Sequence, residues 1–137
     1  MSGGEIPERS LAGRRVLVVE DEYFIAMDVS SALIDAGANV IGPAVSVAGA
    51  IDLVGSEYLD AAVLDIGLPD GNAFPLVDLL GLKAVPVVFA TAYDCRSLPE
   101  PYRKMPCLEK PFEYRALVSA IASSMIPLSR LIRPAET

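Results

Sequence analysis

Arg15-Val16-Leu17-Val18-Val19-Glu20-Asp21-Glu22 sets four consecutive aliphatic side chains between an arginine and three acids. A run with no polar alternation suits a strand covered on both faces, as in the middle of a parallel sheet, and does not suit a strand with one wet face. The abrupt change to carboxylates marks where that strand leaves the sheet. The residues that follow change period. Over 23–36 the apolar side chains Phe24, Ile25, Val29, Ala32, Leu33 and Ala36 recur at helical spacing, and Gly37 suits the position just past a helix end.

The same alternation continues down the chain. Residues 39–45 read as a second strand, with Ser46 as N-cap of an Ala/Ile/Leu helix to about 56. Ala61-Ala62-Val63-Leu64-Asp65 is a third apolar strand that again meets an acid at its carboxyl end. Gly67, Pro69, Gly71 and Asn72 mark a tight loop before a helix over about 73–82. Residues 85–90 are a fourth strand, with Pro86 near its start, where a missing donor does least harm. Pro99, Pro101 and Pro106 would cost a helix over 93–106 both donors and steric fit, so a short or irregular fourth element is expected. A brief strand over 105–109 leads to Lys110-Pro111, and 112–125 supplies a last amphipathic helix whose stripe Leu117, Ile121 and Ser124 should face the core. Strands alternating with helices predict an α/β fold, a doubly wound five-stranded parallel sheet. The expected organisation is a flexible N-terminal segment over 1–13, one folded domain over 14–126 and a tail over 127–137.

Composition agrees and narrows the function. A chain of 137 residues, 53% hydrophobic, can bury the core of one domain. A formal charge of −7 argues against a phosphate-backbone footprint, so direct nucleic-acid binding is not expected. The absence of histidine excludes Ser-His-Asp and Cys-His catalysis and any His-ligated zinc. Cys95 and Cys107 are too few for a disulfide framework and are expected to be reduced and structural, Cys107 as a small core residue. Residues 1–14 are polar and unlike a signal peptide, and no uncharged apolar run approaches the roughly 18 residues of a membrane span. A cytoplasmic location without membrane contact follows as the expectation.

In doubly wound sheets ligands bind at the carboxyl ends of the strands. The polar residues placed there are Glu20, Asp21 and Glu22 after the first strand, Asp65 after the third, Thr91 after the fourth and Lys110 after the fifth. Central strands lie only about 5 Å apart, so several carboxylates should converge. Converging carboxylates repel unless protonated or bridged by a cation, and a hard oxygen set suits Mg²⁺ or Mn²⁺. Asp65 can then act as a carboxylate nucleophile towards phosphorus, with Lys110 and the Thr91 hydroxyl facing the phosphoryl oxygens. Each residue alone has a structural explanation. Acids before a helix favour its dipole, an aspartate before a Gly/Pro loop caps a turn, and a lysine before proline is commonly solvated. Their joint placement on one sheet edge is what points to chemistry.

The motifs VLVVEDE, VLDIGLPDG, VVFATAY and LEKPF, in this order on these elements, closely resemble the receiver domains of two-component response regulators, from Arg14 to about Met125. The resemblance implies a flavodoxin-like (βα)5 sheet of order 2-1-3-4-5. It implies that Glu20 and Asp21 are the acidic pair that holds Mg²⁺, with Asp65 and the backbone carbonyl of Gly67 as further metal contacts. It makes Asp65 the phospho-acceptor, Thr91 the switch hydroxyl, Lys110 the phosphate-pairing lysine and Lys110-Pro111 a cis peptide. The phosphoryl donor would be a phosphohistidine on a sensor histidine kinase or a histidine phosphotransfer protein. Two departures bear on mechanism. Cys107 stands where most receivers carry an aromatic switch residue, and the proline-rich stretch 94–106 replaces a regular fourth helix. Phe89-Ala90-Thr91-Ala92-Tyr93 is similar to the FATGY-type motif of a bacterial subgroup linked to HWE-type kinases, with Ala92 in place of glycine.

The resemblance thus implies a stand-alone receiver and not a dedicated enzyme, one whose catalysis extends to its own phosphorylation and slow dephosphorylation. Output would be altered protein–protein interaction with a downstream target, or phosphorelay. Dimer or partner contacts are expected on the outer face of the last helix and the neighbouring proline-rich segment. The rival from another class is a phosphorylation-independent interaction module on the same fold, a pseudo-receiver. A flavin or nucleotide enzyme of similar architecture is disfavoured because three acids after the first strand would repel an anion.

Overall fold

A computed structural model describes residues 10–125. Five parallel strands form the sheet: β1 (Arg15–Val19), β2 (Asn39–Ala44), β3 (Ala61–Leu64), β4 (Val87–Thr91) and β5 (Cys107–Glu109). Their order is 2-1-3-4-5, the doubly wound CheY-like flavodoxin fold. The helices are α1 (Tyr23–Asp35), α2 (Val47–Ser56), α3 (Phe74–Leu82) and α4 (Tyr114–Ser124). Between β3 and α3 the chain makes a small antiparallel hairpin, Gly67–Leu68 against Gly71–Asn72.

Alternation along the strands feeds two separate cores. Leu17, Val19, Ala62, Leu64, Val87 and Phe89 pack on one face with residues of α2 and α3 such as Val54, Leu76 and Leu80. Val16, Val18, Ala61, Val63, Val88 and Ala90 pack on the other with Val29 and Leu33 of α1 and Leu117 and Ile121 of α4. This is the physical content of an unbroken apolar strand: successive side chains point to opposite faces, and both faces are dry.

Several local signals operate as the sequence implies. Ser46 caps α2, its Oγ accepting from Gly49 N–H at 3.0 Å. Gly37 follows the α1 cap with φ 101°, a conformation that favours glycine. The β1–β2 register shifts between Leu17 and Val19. Gly42 sits at this irregularity with φ 100°, and a Cβ there would lie 2.7 Å from Ala44 N and 2.9 Å from Val18 O. No side chain fits.

Other expectations are corrected. Residues 10–13 belong to the folded unit, because Leu11 is fully buried and its N–H donates to Ala36 O at 2.8 Å. Residues 1–9 and the tail over 127–137 lie outside the described residues. Phe24 does not pack inward; it is 79% exposed beside Tyr23. Residues 112 and 113 precede α4, and β5 is shorter than the expected 105–109. The proline-rich stretch forms two 3₁₀ turns, Cys95–Ser97 and Glu100–Tyr102, and no regular helix. Cys95 and Cys107 are not reduced. They form a disulfide across 12 residues of sequence, with Cys107 half-buried against the core and Cys95 half-buried at the loop. Among the described residues no helix is long and apolar enough to cross a membrane.

Candidate functional site

The carboxyl edge of the sheet collects the polar residues expected there. Glu20, Asp65, Thr91 and Lys110 each lie at or one residue past a strand end, and main-chain bonds to the neighbouring strand hold three of these exits. Glu20 N–H donates to Ala44 O at 2.9 Å, Asp65 N–H to Val19 O at 3.0 Å and Lys110 N–H to Thr91 O at 2.7 Å. Glu20, Asp65 and Thr91 are buried and Asp21 is exposed.

One carboxylate oxygen from each of Glu20, Asp21 and Asp65 lies within 4.8 Å of the other two. Lys110 Nζ enters this group, 2.8 Å from Glu20 Oε1, 3.1 Å from Asp65 Oδ2 and 3.2 Å from Glu22 Oε1. Burial pushes the Glu20 carboxyl above the usual glutamate range; hydrogen bonds from Lys110 and from Glu22 N–H oppose this, and repulsion from Asp65 adds to it. Burial works against the Lys110 ammonium as well. Its hydrogen bonds to Glu20 and Asp65 outweigh that cost and hold its pKa above that of an ordinary lysine. One ammonium among several carboxylates leaves a net negative pocket of oxygen donors open to solvent on the Asp21 side. That donor set fits a hard divalent cation such as Mg²⁺.

Thr91 Oγ1 accepts from Tyr93 N–H at 3.1 Å, so its hydroxyl is tied to the loop that leaves β4. Gly67 lies in the hairpin beneath Tyr93, whose hydroxyl oxygen would be 2.7 Å from a Cβ at position 67. Lys110-Pro111 is cis, as the resemblance implies. Sequence reading therefore named Glu20, Asp21, Asp65, Gly67, Thr91 and Lys110, and the fold brings the first three acids and Lys110 into one cluster. It missed the engagement of Glu22 by Lys110 and the packing of Tyr93 over Gly67. It also missed Asp70, whose carboxylate accepts from Val47 N–H at 2.8 Å and Ala48 N–H at 3.0 Å, pinning the loop after β3 to the start of α2. These backbone bonds hold Asp70 below the usual aspartate range. An acid in a Gly/Pro loop was the available signal, but its partner on another element is not written in the local sequence.

A groove of about 500 Å³ adjoins the cluster, lined by Glu22, Ile25, Ala92, Lys110, Phe112 and Tyr114. Another, of about 430 Å³, lies at the opposite edge of the sheet beside Tyr58, Asp60 and Lys83, away from the acids.

A doubly wound sheet of this order, with acids, a hydroxyl and a lysine at its carboxyl edge, defines a CheY-like domain. The chain belongs to the response regulator receiver domain family, whose pattern matches residues 16–122. It is 30% identical over 125 residues to the transcriptional regulatory protein PdtaR of Mycobacterium tuberculosis, covering 88% of this chain and 61% of that protein. It is 36% identical over 128 residues to the phyllosphere-induced regulator PhyR of Methylorubrum extorquens, covering 88% of this chain and 46% of PhyR. The chain thus spans less than two thirds of either relative. The solution structure of SdrG from Sphingomonas melonis superposes with a TM-score of 0.70 at 33% identity, covering 79% of this chain and 92% of SdrG.

Proposed function

We propose that this receiver domain takes a phosphoryl group onto Asp65 from a phosphohistidine on a sensor kinase or phosphotransfer protein. The observation that carries the reading is the cluster itself: Lys110 Nζ bonded at once to Asp65 and Glu20 within a pocket that gathers three acids. An Asp65 oxygen attacks phosphorus in line with the imidazole nitrogen; the new O–P bond forms as the P–N bond breaks, and the imidazole takes a proton from solvent. Lys110 faces the added negative charge, and the Thr91 hydroxyl donates to a phosphoryl oxygen when it turns from Tyr93 N–H. Glu20, Asp21, Asp65 and the Gly67 carbonyl would hold Mg²⁺ or Mn²⁺, which supplies charge neutralisation for the transferred group. Buried Glu20 and exposed Asp21 divide the work, one fixed in the pocket and one open to incoming ion and water.

The receiver unit is taken as 14–126, with 10–13 packed onto it. Its output is protein–protein: a cytoplasmic bacterial regulator that binds a target in its phosphorylated form or passes the group on. The sequence Phe89-Ala90-Thr91-Ala92-Tyr93, the 3₁₀ turns in place of a helix, and the likeness to PhyR and SdrG support assignment to the FATGY-type subgroup. Phosphotransfer from candidate kinases, with and without Mg²⁺, is the test. Wild type should label only with the metal, and Asp65→Asn should not label; equal labelling of the two would overturn the assignment.

A further inference from the structure

We propose that Cys95 and Cys107 are a reversible thiol–disulfide site whose state sets how freely residues 94–106 move beside Thr91. The site takes a dithiol of the thioredoxin class as reductant and the corresponding disulfide as oxidant.

Position carries the inference. Cys95 opens the first 3₁₀ turn, four residues beyond Thr91, and Cys107 opens β5, paired with Phe89 of β4, with the two Cα atoms 5.9 Å apart. The bond therefore ties the loop that leaves Thr91 to the edge strand of the sheet. At the far end of the segment Pro106 O accepts from Phe89 N–H at 2.9 Å, and few other links join it to the sheet. Among the described residues, the main-chain bonds of Ser97, Leu98, Tyr102, Arg103 and Met105 N–H all return to carbonyls within 94–105. At the start of the segment the additional tie is Cys95 N–H to Glu109 Oε2, 2.8 Å. Further along, buried Leu98 and the Tyr102 ring stacked on Phe74 hold the middle. A segment with three prolines and no ladder of its own depends on such tethers.

Both cysteines are partly exposed, so a reductant can reach them. In a reducing cytoplasm, thiols that the fold brings to bonding distance act as transient, sensing pairs and not as permanent staples. The exchange balances within itself. A thiolate of the dithiol attacks one sulfur and releases the other, which takes a proton; the second thiol of the reductant resolves the mixed disulfide, so two electrons and two protons reach Cys95 and Cys107. Reoxidation is the reverse step.

The site adds a second input to the function proposed above, but its test needs no phosphate. The full chain is equilibrated in glutathione buffers of graded redox ratio, alkylated without denaturant, weighed, and followed by amide hydrogen exchange. The expected result is two species only, with neither or both cysteines alkylated. On reduction the amides of 95–105 should exchange at least tenfold faster, while those of β1 and β3 stay unchanged. Cys95→Ser should show the fast pattern in every buffer. A bond that survives excess dithiothreitol in the folded protein, thiols that stay free in oxidising buffer, or equal exchange in both forms would overturn the proposal. Failure of Asp65 to label would overturn the phosphotransfer reading and leave these outcomes intact.

Discussion

Replacing Lys110 with methionine tests the electrostatics of the pocket without changing its volume much. The ammonium lies 2.8 Å from Glu20 and 3.1 Å from Asp65, and all three side chains are nearly buried. At an effective dielectric near 20, these contacts are worth about 6 and 5 kcal/mol in gross Coulomb terms. Desolvation of three charged groups cancels much of that. The cost of removing one partner of a buried ion pair, about 3–5 kcal/mol, is the better guide because it counts the carboxylates left uncompensated. Asp21 and solvent on one side argue for the low end, so Lys110→Met should lose about 3 kcal/mol at neutral pH in EDTA, roughly 6–12 °C in Tm.

The sign with pH follows from Glu20, already raised in the wild type. Without Lys110 the folded-state pKa rises further above its unfolded value. The folded state then binds the proton more tightly, so stability is regained as pH falls through the folded pKa. Urea titrations of both proteins at pH 5 and 7.5, with EDTA or Mg²⁺, measure this. Mg²⁺ should recover part of the loss at pH 7.5. A loss under 1 kcal/mol, or one that neither acid nor Mg²⁺ reduces, would refute the idea that Lys110 compensates buried carboxylates.

Two further outcomes probe the surroundings. Tyr102 stacks on Phe74 with ring centroids 4.4 Å apart and donates to Asp78 at 2.9 Å, so a double-mutant cycle of Phe74→Leu and Tyr102→Leu should yield a coupling of about 0.5–1.5 kcal/mol in urea unfolding. Independent effects would show that the 3₁₀ segment is not held there. For Asp70, whose pKa is lowered by backbone donors, the stability it contributes is present above its unfolded pKa and lost as pH falls through the folded one. Asp70→Asn should therefore weaken the acid-side fall in Tm below about pH 4; an unchanged pH profile would show that its two backbone bonds carry no weight.

How much of this was written in the chain depends on range. Unbroken runs such as Val16–Val19 and Ala61–Leu64 declare central strands because only a doubly covered strand tolerates them, and the acids that end those runs declare the site. Ser46 and Gly37 are equally local signals: the cap hydroxyl and the positive φ need no distant partner. What failed is what depends on distant partners. Leu11 stands in a mostly polar stretch with only Ala12 apolar beside it, and nothing nearby says that it packs next to Ala36. Phe24 satisfies helical spacing yet faces solvent, because periodicity gives the interval of a helix and not the edges of its buried stripe. Cys95 and Cys107 come together only once β4 and β5 are adjacent, a fact of topology that spacing alone does not contain.

Glu20, Asp65 and Lys110 each hang by an amide proton from the last carbonyl of the strand beside them. The pocket thus has a frame as stiff as the sheet. None of these three backbones can shift without tearing a ladder bond, so charging the pocket can rearrange side chains but cannot widen its jaws. The chain beyond Thr91, where the ladder ends and the prolines begin, is not held in this way.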